Sequence, residues 1–180
     1  MLQNWFSKWT DYYGGFIGGH SQTGYAGVDI PAADYANWAF QWAFAATAVT
    51  IISGGMAERA NTYGYIITIV WFQLMIYPFV AHWVWSGDGW LNKNGFVDFA
   101  GSAVVHMVGG FAALVGCAFL GPRKGNKKEM LPSDVPNIVL GTFILWMGWY
   151  GFNGGAASGT SLYRIIMNTT IAASVSGFFN

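Results

Sequence analysis

Phe96-Val97-Asp98-Phe99-Ala100-Gly101-Ser102-Ala103-Val104-Val105-His106-Met107-Val108-Gly109-Gly110, continuing through Phe111 to Leu120, decides how this chain is to be read. From Phe99 to Pro122 no residue carries a permanent charge, and ~20 apolar residues suffice to cross a hydrocarbon core. An imidazole, His106, lies near the middle of the run and a carboxylate, Asp98, at its start. Ionisable groups are costly at membrane depth, so such a histidine marks a conduction path or a satisfied packing position.

The rest of the chain agrees with a membrane setting. Hydrophobic residues make up 54% and charged residues 9%, far below the ~25% charged of soluble domains. Glycine and interfacial aromatics are both favoured in membrane bundles, and the chain has 25 Gly and 10 Trp. Formal net charge is zero, which leaves no basic footprint for nucleic acid. The single cysteine, Cys117, sits inside the central run, where it has no internal disulfide partner and says nothing of redox compartment. No cluster has metal-ligand spacing and no nucleophile stands beside a base, so neither a metal, a cofactor nor an enzyme is expected. The N-terminus lacks a basic segment followed by an apolar core, so no signal peptide is read there.

Working outward, residues 1–34 form a polar segment without a spanning run. An incomplete transmembrane domain is expected over 35–180, with spans at about 35–56, 63–84, 98–120, 136–155 and 165–180. The last run stops at Asn180, too short to cross, and the sequence reads as truncated. Pro78 falls late in the second span, where neighbouring helices absorb a kink. Four of the eight Lys and Arg lie between Arg123 and Lys128, and positive residues collect on the cytoplasmic side of short loops. Residues 57–61 and 121–130 are therefore expected inside. Residues 1–34 and the Trp-flanked loop 86–95 are expected outside.

Four strings then become specific: Phe40-Gln41-Trp42-Ala43-Phe44-Ala45 with Ala57-Glu58-Arg59; Tyr77-Pro78-Phe79-Val80-Ala81-His82-Trp83-Val84-Trp85; Val97-Asp98 through His106; and Gly148-Trp149-Tyr150-Gly151-Phe152-Asn153. In order and spacing they resemble the ammonium transporter / methylammonium permease / Rhesus family, nearest its plant-type branch. The likeness covers roughly Gly15 to Phe152. It implies an all-α fold of eleven transmembrane helices in two inverted halves, of which this chain holds about five. It implies a homotrimer in the plasma membrane with one pore per subunit. The substrate it implies is ammonium or ammonia, with methylammonium as analogue.

The resemblance also implies roles. Trp85 matches an aromatic residue that recruits ammonium at the outer mouth, where a cation over an indole face gains ~0.5–2 kcal/mol. Phe44 and Phe152 match a stacked phenyl gate, and Phe40 shares a helix face with Phe44 at i, i+4. His106 matches one of two pore histidines; the second lies beyond this chain. A neutral imidazole offers one donor and one acceptor nitrogen, which suits a file of ammonia with a separately relayed proton. Asp98 is read as support rather than as a proton partner, since eight helical residues separate it from His106 by ~12 Å. Where the family commonly has a serine, this chain has Ala156; Ser158 would lie about 200° around a helix from it and substitutes only across an unwound turn, which Gly154, Gly155 and Gly159 allow. A neutral ammonia or gas channel of Rhesus type, or an ammonium sensor, stand as alternatives. Small residues at Gly109, Gly110, Ala112, Ala113 and Gly116 are assigned to helix packing.

Overall fold

The computed structural model describes residues 32–86, 89–123 and 134–178. The expected outer segment therefore falls largely outside the described residues, as do the lysines at 124, 127 and 128. The described residues are helical and turn-like throughout, with no strand among them. They group into two units, divided after Arg123.

In the first unit α1 (Ala32–Met56) is unbroken. α2 (Thr62–Trp71) starts at Asn61, whose side-chain oxygen accepts the Tyr63 N–H, satisfying one orphan donor of the first turn. The helix then widens into a π-turn, Phe72–Ile76, before α3 (Tyr77–Trp85). Pro78 offers a reason: it has no N–H to give the carbonyl four residues back. In the wider turn the Tyr77 N–H reaches the Phe72 carbonyl instead. A short α4 (Trp90–Lys93) follows.

The organising stretch does not become helical at Asp98, as its composition suggests, but at Ser102. Gly101 takes φ 88°, a left-handed turn that favours glycine. A second π-turn, Ser102–Met107, leads into α5 (Val108–Leu120). Its signature is the His106 N–H bonded to the Gly101 carbonyl at 3.0 Å, five residues back.

The core of this unit is a stripe on α1. Phe44, Ala48, Ile52 and Met56 recur every four residues and are all buried, the spacing of one helix face. α5 meets that face with its smallest residues. A Cβ on Gly109 would lie 2.8 Å from the Ala48 carbonyl oxygen, and one on Gly116 would lie 2.7 Å from Met56 Sδ. Gly110, assigned to packing from sequence, has nothing within 4 Å of a built Cβ. At the end where α1 and α5 both finish, Arg59 donates to the Gly121 carbonyl at 3.0 Å and Arg123 pairs with Glu58.

The second unit is a hairpin of α6 (Val135–Gly154) and α7 (Ser161–Ser176). Its seam is polar. Thr170 Oγ1 donates to the Ile166 carbonyl, so the Tyr150 hydroxyl, 2.8 Å away, donates to Thr170 and in turn accepts from Trp146 Nε1. Asn153 adds a bond to Thr169. The chain of hydroxyls begins at an indole, which can only donate, and it ties the two helices together.

Among the described residues four runs are long and apolar enough to cross a membrane: Ala39–Met56, Thr62–Lys93, Ser102–Leu120 and Val135–Gly154. α7, at 16 residues, is shorter.

Candidate functional site

The site is built around Asp98. Its carboxylate is 8% exposed and takes four backbone N–H groups: Oδ1 accepts from Gly101 and Ser102 at 2.9 Å each, Oδ2 from Ala103 at 2.9 Å and Val104 at 2.8 Å. These are the orphan donors at the start of the π-turn. Asp98 thus satisfies the helix start from outside the helix. Gly101 is the flanking residue, and Asp98 reaches the helix from three residues before it. The left-handed Gly101 makes this geometry available. A Cβ there would also meet Val105 Cγ2 at 2.7 Å.

The main chain of the same residue does a second job. The Asp98 carbonyl accepts the Trp85 indole N–H at 2.7 Å. With its one donor used, Trp85 presents only its ring faces and edges to anything else. Phe44, 2% exposed, stands edge-on to Trp85 at 5.7 Å, and Phe40 packs edge-on to Phe44 at 4.6 Å. The cluster of Phe40, Phe44, Trp85 and Asp98 is therefore assembled inside the first unit, from α1, the end of α3 and the loop before the second π-turn. Sequence reading missed the Trp85–Asp98 bond; no spacing rule links an indole to a main-chain carbonyl thirteen residues on.

His106 lies in the π-turn, one residue beyond fully buried Val105 and three before Gly109, which packs on α1. His106 itself is exposed among the described residues. Phe152 and Ala156 belong to the second unit. There Phe152 is half-buried near the end of α6, and Ala156 follows that helix in a turn. Ser158 also falls in this turn, so the helical angle that separated it from Ala156 does not apply. Beside the α1–α5 seam runs an apolar groove of about 590 Å³, lined by residues that include Ile52, Met56, Phe72, Phe111 and Phe119. Among the described residues no group of His, Cys, Asp and Glu could hold a metal.

A bundle with apolar spanning runs, an aspartate-capped π-turn and an aromatic cluster at one end defines a multi-pass helical membrane protein. Comparison narrows the class. The profile of the Ammonium Transporter Family matches residues 5–180, and the chain belongs to that family. It is 44% identical to Ammonium transporter 3 of Dictyostelium discoideum, over 78% of this chain and 34% of that protein. It is 45% identical to Ammonium transporter 1 member 1 of Arabidopsis thaliana, over 79% of this chain and 31% of the relative. A crystal structure of a Mep2 mutant from Candida albicans superposes with TM-score 0.68 at 36% identity, covering 79% of this chain and 33% of that one. The chain thus spans about a third of the length of the relatives it matches.

Proposed function

We propose that the longer protein to which this chain corresponds moves ammonium across a membrane, recruiting the cation at Trp85 and passing ammonia along a hydrophobic pore beside His106. The observation that carries the reading is the fixed indole. Trp85 is locked by its N–H on the Asp98 carbonyl and flanked edge-on by Phe44, so the indole is held as a rigid aromatic surface. Aromatic faces attract a desolvated cation, and apolar rings beneath it oppose hydrated ions. Carrying intact ammonium further meets a desolvation cost of many kcal/mol. Releasing ammonia and relaying the proton separately avoids that cost, and a neutral imidazole can bond to both species. Asp98 acts at one remove, by holding Trp85 and the start of the His106 helix.

In this reading Phe152 has the role of a gate phenyl that the family resemblance gives it, and Ala156 weakens the outer site where a serine hydroxyl would help hold the cation. The protein sits as a homotrimer in the lipid bilayer of the plasma membrane, with 57–61 and 121–130 on the cytoplasmic side.

The test is methylammonium uptake by the full-length protein in cells lacking their own ammonium transport. Wild type restores uptake, whereas His106→Ala reaches the membrane in equal amount and does not. Wild-type failure to move methylammonium or ammonium would sink the reading.

A further inference from the structure

Gln73 is a carboxamide about halfway along the helical run from Thr62 to Trp85, within the first π-turn. Its Nε2 donates to the main-chain carbonyl of Ala45, on α1, at 2.6 Å. The orientation of the amide is chemically fixed, because turning it over would set oxygen against oxygen. Its Oε1 is buried and, among the described residues, has no hydrogen-bond partner. A buried acceptor left in that state is destabilising, and a leucine of similar size would carry no such penalty. Helix packing alone gives no reason to place an amide here.

What the amide does hold is specific. Ala45 is the residue after Phe44, both are buried, and Phe44 stands between Phe40 and Trp85. An α-helical carbonyl already receives the N–H four residues on, so the Gln73 bond is an added tether on that one turn. We infer that Gln73 is a positioning residue for the aromatic site: it fixes the α1 turn that sets Phe44 at its edge-on distance from Trp85. This rests on the reading of Trp85 and Phe44 as the place where ammonium is received. A gate that discriminates by the room beside a phenyl ring is sensitive to small shifts of that ring. The residue that fixes the ring therefore contributes to discrimination between ammonium and the bulkier methylammonium.

The experiment uses the full-length protein with Gln73→Leu and, as a second variant keeping side-chain length, Gln73→Met. Thermal unfolding in detergent and the ratio of ammonium to methylammonium transport are read together. We expect unfolding unchanged or raised in temperature, because the orphaned oxygen is gone. We expect the ratio to fall about three- to tenfold, the size of one lost hydrogen bond. A role confined to packing gives the reverse, with lower unfolding temperature and an unchanged ratio, and overturns the inference. A structure of either variant separates this from the transport reading. Phe44 displaced from its 5.7 Å approach to Trp85 supports the tether even if the wild type carries no ammonium. Phe44 unmoved refutes it.

Discussion

The two ends of the second π-turn are built in opposite ways. At its start every donor is used. Asp98 binds four N–H groups, its own carbonyl holds Trp85, and Val104 and Val105 are fully buried. One residue further on, in the same turn, His106 is exposed. The contrast teaches that the first unit builds its aromatic site rigidly from its own residues while leaving the histidine uncovered by them. A π-turn is a means to that end. One extra residue per turn rotates everything after it, and such turns concentrate at functional sites.

Breaking the rigid end has the largest expected effect. Asp98→Ala removes the acceptor for four backbone donors and loosens the carbonyl on which Trp85 rests. Each buried donor left unsatisfied costs ~1–3 kcal/mol, enough together to abolish uptake and much of the folded protein. Asp98→Asn keeps one oxygen and two of the four bonds. It is expected to fold and to transport poorly, through misplaced geometry rather than lost charge. Uptake at normal levels by Asp98→Asn would show that the cap is not what matters.

Next comes the residue that lets Asp98 reach so far. Gly101→Ala forces a Cβ into a left-handed turn and against Val105. Left-handed backbone alone costs ~1–2 kcal/mol for a non-glycine residue, so a fall in unfolding temperature of several degrees is expected, with Trp85 disordered. A variant as stable as wild type would mean that the turn relaxes without loss.

The packing seam offers a sharper pair. Gly109 and Gly110 are neighbours in sequence and alike in composition, yet only Gly109 faces α1. Gly109→Ala meets a main-chain oxygen that cannot swing away, and is expected to destabilise by about 1–3 kcal/mol, as overpacking does. Gly110→Ala, with nothing within 4 Å among the described residues, is expected to unfold like wild type. Equal effects on unfolding from the two substitutions would contradict the placement of this helix.

These pairs also show how much was legible in advance. Absence of charge over Phe99–Pro122 revealed a spanning run, and the order and spacing of four strings revealed the family. Phe40 and Phe44 at i, i+4 were readable because α1 is an unbroken α-helix. Around Asp98 the same arithmetic failed: the ~12 Å separation from His106 assumed a helix from Asp98, whereas the chain turns left-handed at Gly101 and then winds as π. Neither choice has a composition cue strong enough to override a glycine's ordinary reading. Gly110 does not share the α1 seam with Gly109 for a related reason, since a stripe of small residues gives no phase once a π-turn has rotated the helix. The Trp85–Asp98 and Gln73–Ala45 bonds were invisible because main-chain acceptors have no sequence.

The smallest effect is expected where the sequence departs from its family. Read from sequence, Ala156 weakens the outer site, and Ser158, about 200° around a regular helix, replaces it only where the chain unwinds. That angle does not exist in the structure. α6 ends at Gly154, Gly159 has φ 60°, and Ser158 lies in the turn between, its carbonyl accepting the Ser161 hydroxyl at 2.6 Å. That contact uses the Ser158 main chain, just before α7, and it is the family resemblance that places the cation-binding hydroxyl at position 156. In the full-length protein Ala156→Ser is expected to lower the half-saturating ammonium concentration about three- to tenfold. That is less than one hydrogen bond to a charge gives at full strength, since water competes for it. Ser158→Ala should leave this concentration unchanged. If Ser158→Ala instead raises it while Ala156→Ser does nothing, the turn has moved the family's hydroxyl two residues along the chain, and the outer site is not weakened at all.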